Sequence, residues 1–73
     1  MSAAARYLPM AKAVWGKPFA EWPGWSTGEV LTVAILLNRG DVLDSMSYTL
    51  CEAFDRVDLD VRQLRALERA LQS

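Results

Sequence analysis

Cys51 is the only cysteine in this sequence, and there is no histidine. Those two facts remove most side-chain chemistry at once. Neither a Ser-His-Asp nor a Cys-His nucleophile can be assembled. A zinc site of the usual ligand types is close to excluded. Cys51 stands beside Leu50 in a helical pattern, where a small buried apolar residue is a better reading than a reactive thiol. Asp55, Asp58 and Asp60 could gather a hard cation. Their spacing lacks the glycine turn and distal glutamate of an EF-hand loop, so they read as solvated helix-end caps. Gly24 and Gly28 have neither the spacing nor the following lysine of a phosphate loop. Arg39-Gly40-Asp41 spells an integrin-binding tripeptide, but its setting reads as a helix exit followed by a cap. No catalytic residue, cofactor site or metal site is expected.

Two groups of residues remain as candidates for binding. The first is the stripe Arg62, Arg65 and Arg69, which falls on one face of a helix. Guanidinium groups match phosphate and carboxylate geometry, so the stripe could meet nucleic acid, an acidic protein surface, or only solvent. The chain is slightly acidic, whereas a small DNA-binding domain carries a basic excess. Residues 42–57 could pass for a helix-turn-helix, yet the would-be recognition helix carries Glu52, Asp55 and a single Arg56, the wrong sign for a groove. The second group is Trp22 and Trp25, in the stretch GKPFAEWPGW at residues 16–25. A connector so aromatic is not an ordinary linker. Its rings are either a lid supplying the core or a partner-binding hot spot. Base stacking is the weakest option, since only Lys12 and Lys17 stand near.

The elements that must position these groups are helical. Ser26-Thr27-Gly28-Glu29 is a capping-box pattern. Val30 to Leu37 follow with only Thr32 polar, so the helix is apolar all round and must be buried. Its β-branched content leaves a strand reading open; the cap and the Asn38-Arg39-Gly40 exit favour helix. Upstream, a short amphipathic helix is expected near residues 3–15, with Pro9 suited to a first helical position and Gly16 to the residue past the end. Residues 1–8 extend that helix or fray. Downstream, Asp41 caps a short turn near 42–47. Thr49-Leu50-Cys51-Glu52, a second capping-box match, opens a helix to about Val57. Its apolar face is Leu50, Ala53, Phe54 and Val57. Asp60 with Gln63 is a weaker cap for a last helix from Val61 to about Leu71, whose seam is Val61, Leu64, Leu67 and Leu71. Arg65 and Glu68 are spaced for a surface pair.

The fold class is therefore all-α: four to five short helices around a buried central helix at about 28–38, with the Trp/Pro/Gly loop packed over it. The 73 residues make one domain. A chain this short buries only roughly 60% of its unfolded surface. Apolar residues are 52% of it, more than such an interior absorbs, so some belong at an interface. Residues 1–28 carry a net charge of +2, 29–60 of −5, and 61–73 of +2. An acidic middle between basic ends favours attraction within or between chains. The longest strictly apolar run, Val33 to Leu37, is too short to span a bilayer, and no signal-peptide core is present. The unpaired cysteine fits a reducing compartment, hence the cytoplasm, with a bacterium or mobile element as the source. The expected function is a small non-enzymatic protein-interaction module: an inhibitor, adaptor or regulatory subunit. Its contacts would be Trp22, Trp25, Arg62, Arg65 and Arg69, and its partners another protein and a second copy in a homodimer. The alternative is a small dimeric nucleic-acid-binding transcriptional regulator using the arginine stripe. Membrane association is not expected.

Overall fold

The structure is a computed structural model that describes residues 3–72. It is all-α. Five helices follow in order: α1 (Tyr7–Val14), α2 (Thr27–Leu36), α3 (Gly40–Ser45), α4 (Leu50–Arg56) and α5 (Val61–Gln72). Short 3-10 turns occupy Ala3–Arg6 and Phe19–Glu21. Helix α2 is the hub, and each of the other four helices packs against it.

The expected capping box is formed at α2. The Glu29 N–H donates to Ser26 Oγ at 3.4 Å, and the Ser26 N–H donates to Glu29 Oε1 at 3.0 Å. Val30, Leu31, Val33, Ala34 and Leu36 are all buried. Thr32 is buried with them, and its hydroxyl donates to the Gly28 carbonyl at 2.7 Å, which satisfies it within its own helix. The helix ends in a Schellman arrangement: Asn38 takes φ 55°, and the Arg39 N–H reaches the Ala34 carbonyl at 2.8 Å. Asparagine, not Gly40, makes this turn. Gly40 is instead the first residue of α3.

Helix α3 closes the same way. Ser47 sits at φ 60°, and the Tyr48 N–H donates to the Leu43 carbonyl at 2.9 Å. Asp41 was expected to cap this helix and does not. It is the second residue of α3 and is held by Arg39 through bonds of 2.8 Å. Helix α4 has its capping box from Thr49 and Glu52. The weaker-looking signal, Asp60 with Gln63, forms a reciprocal pair as well, at 2.8 and 3.0 Å.

At the start of the chain, α1 begins at Tyr7, and Pro9 is its third residue. That is still the first turn, where backbone N–H groups lack helical partners. Residues 1 and 2 of the stretch expected to extend or fray lie outside the described residues. Gly16, at φ 74°, lets the chain leave α1.

The aromatic connector is a lid. Trp22 is buried, Phe19 and Trp25 pack against the core, and the rings meet in sequence: Phe19 edge-on to Trp22 at 5.5 Å, Trp22 tilted to Trp25 at 5.9 Å. The Lys17 carbonyl pins this lid. It accepts from Trp22 Nε1 at 3.3 Å and from Arg39 Nη1 at 2.9 Å. The Arg39 guanidinium also lies 5.7 Å from the Trp22 ring centre. The tripeptide Arg39-Gly40-Asp41 is therefore an internal clamp joining the lid to the α2–α3 corner.

Candidate functional site

Two expectations about burial fail on α4. Cys51 is exposed. The face expected to bury Leu50, Ala53, Phe54 and Val57 buries only Ala53 fully, while Val57 is half-buried. The cause is local. Helix α4 meets the core through Ala53, the smallest residue of that face, and through Val57 just past its end, which leaves the larger flanking residues outside. Leu50 and Phe54 are left 55% and 39% exposed. On α5, Leu64 and Leu67 are buried, Leu71 is half-buried, and Val61 stays 59% exposed.

These exposed residues meet. A groove of about 90 Å³ lies between α4 and α5. Ile35, Leu36 and Leu64 line it with Phe54 and Val61, and Arg65 and Glu68 complete the lining. A second hollow, of about 160 Å³, shares Ile35 and extends past Leu43 to Leu50. A third shares Leu36 and Glu68 with the groove and runs past Leu37 and Leu71 to Trp15, itself 56% exposed. The first two make one apolar strip over α2, α4 and α5, and the third, with a more polar lining, adjoins it. Scattered exposed apolar residues are ordinary on a small protein; a contiguous run of them marks an interaction surface.

The arginine stripe borders this strip. Arg65 lines the groove, and Arg62 and Arg69 stand one turn to either side of it on α5. All three are exposed. The only ion pairs among the described residues are Arg39–Asp41 at 2.8 Å and Arg6–Glu29 at 3.9 Å. The expected Arg65–Glu68 pair is not formed.

Trp22 and Trp25 lie with the lid, not on the strip. Trp22 is 8% exposed and so offers almost no surface; Trp25 is half-buried. The structure thus separates the five residues singled out from the sequence: three arginines beside the apolar groove, two tryptophans in the lid. Leu50, Phe54, Val61 and Ile35 were missed. Their spacing marked them as core, and spacing does not reveal how much of a helix face its neighbours can cover. The excess of apolar residues over available interior was the usable signal.

Electrostatic shifts mark the helix caps and the Arg39 clamp. The backbone N–H and hydroxyl of Ser26 hold the Glu29 carboxyl below its ordinary value, and those of Thr49 do the same for Glu52. The hydrogen bonds from Arg39 lower Asp41. Among the described residues no cluster of three or more acidic or cysteine side chains could hold a metal ion, and no helix is long and apolar enough to cross a membrane. The chain matches no protein-family profile, no curated protein and no solved structure.

Proposed function

We propose that this chain is a small, non-enzymatic interaction module, of the inhibitor, adaptor or regulatory-subunit kind. It binds a partner protein through the apolar strip around Leu50, Phe54 and Val61. The observation that carries this reading is the gathering of large exposed apolar side chains around one groove. Each leaves water on docking, at about 25 cal/mol for every Å² covered. Arg62, Arg65 and Arg69 form the charged rim, which orients the partner and speeds encounter more than it adds affinity. Trp22 and Trp25 serve the site indirectly, by keeping the lid closed over α2. The exposed thiol of Cys51 suits a reducing compartment, and we place the protein in the cytoplasm.

The test is affinity capture from lysate of the source cell, with nuclease present and absent. The bait is the native chain beside Val61→Asp and Leu50→Glu, both first shown to keep the helical circular dichroism of the native chain. One protein recovered in near-equal amount, nuclease-resistant and lost with either variant, is the expected result. Recovery that needs nucleic acid and survives both substitutions would replace this reading with a nucleic-acid-binding regulator.

A further inference from the structure

We propose that the occupant of the groove between α4 and α5 is an acidic amphipathic helix of the partner protein. This rests on the docking reading above and specifies the chemistry of what docks. The groove is apolar, open between two helices and floored by a third, a form that accepts one face of a helix. Phe54 on one wall and Val61 on the other leave an apolar slot of about 90 Å³, room for one large side chain of such a helix, and the hollow of about 160 Å³ beside Leu50 would take a second anchor.

Charge decides the sign of the ligand. Arg62, Arg65 and Arg69 span two turns of α5, about 10 Å along its axis, and none is ion-paired with another described residue. On the groove lining Glu68 balances Arg65, so the positive excess comes from Arg62 and Arg69 at its two ends. A helix lying in the groove would run beside this stripe, and carboxylates on its flank at the same one-turn spacing would meet the guanidinium groups in order. A second copy of this chain fits less well. Its exposed apolar ridge on α5, at Val61, is flanked by the same arginines. Its ridge on α4, Leu50 and Phe54, sits on a helix whose exposed charges are Glu52, Asp55 and Arg56, a net of one carboxylate.

The experiment is a selection from displayed 18-residue helical peptides that carry leucine at i, i+3, i+7 and i+10. Their flanking positions are randomised between Glu, Lys, Gln and Ser. The targets are the intact chain, the Arg62→Glu/Arg65→Glu/Arg69→Glu variant and Val61→Asp. Peptides with glutamate at all three flanking positions are expected to outnumber those with lysine at all three by about tenfold on the native chain, from about twofold per exposed ion pair. The preference should invert on the triple variant, while peptides continue to be selected on both. Equal use of Glu and Lys, or a preference unchanged by the triple variant, overturns the acidic-helix proposal and leaves the docking reading intact. Failure to select any leucine-striped peptide, or binding indifferent to Val61→Asp, overturns the docking reading itself. Two parallel measurements close the other routes. A dimer in sedimentation equilibrium that Val61→Asp dissociates would give the groove to a second copy. Displacement of the selected peptides by low-salt duplex DNA, abolished by the triple variant, would give the stripe to phosphate.

Discussion

At the scale of single residues, what the sequence marks most clearly is local. Ser26, Thr49 and Asp60 each cap a helix, because a capping box is a matter of four adjacent residues. Cys51 was misjudged because burial depends on partners distant in the chain. Its exposure has a direct readout: one thiol should titrate with Ellman's reagent in the folded protein, at a rate denaturant barely changes, whereas a buried thiol would wait for unfolding. The capping carboxylates set the acid limb of stability. Glu29 and Glu52 are held below the ordinary glutamate value of 4.5, so on acidification the unfolded chain takes up their protons first. Their contribution is complete above about pH 4.5 and drains away as the pH falls through the lower folded-state values. Asp41, lowered by Arg39, adds to the same trend. Urea midpoints measured from pH 7 to pH 2.5 should decline on that limb, and Glu29→Gln with Glu52→Gln should flatten it.

Elements were legible where pattern and cap agreed. Helix α2 is the strongest example: an apolar run between a capping box and a turn has few other solutions, and from Val30 to Leu36 every residue but Ile35 is buried. Helix α4 was placed correctly in sequence and wrongly in depth. Periodicity says which residues share a face, but the closeness of that face to α2 is set by Ala53, and the pattern treats Ala53, Leu50 and Phe54 alike. The two helix ends at Asn38 and Ser47 show a related limit. Both residues adopt the left-handed conformation usually given to glycine, and only asparagine tolerates it readily. Ser47→Gly should therefore stabilise the fold by about 0.5–1 kcal/mol, seen as a raised urea midpoint with an unchanged slope. Asn38→Gly should do less.

For the whole molecule, the apolar content divides between a finished interior and an unfinished face. Leu31, fully buried in α2, and Val61, on the strip, test that division. Leu31→Ala should cost about 3 kcal/mol, a large share of what a chain of this size has in total, and its thermal transition should fall steeply. Val61→Asp should leave stability within about 0.5 kcal/mol of native, because an acidic residue in a first helical turn is favourable. The strip itself was not legible beyond its excess of apolar residues, since it is assembled from α2, α4 and α5 and exists only when they pack. The Lys17 carbonyl carries one more consequence, in the language of mutational tolerance. An oxygen of the main chain is supplied by every amino acid, so the junction that ties lid to corner is invisible to substitution at the residue that owns it. Lys17→Ala should be silent, while Arg39→Ala should cost about 1 kcal/mol and loosen Trp22, read as a shift in its fluorescence. A complete substitution scan would then show a permissive position 17 beside an intolerant position 39, two ends of one bond with opposite genetic signatures.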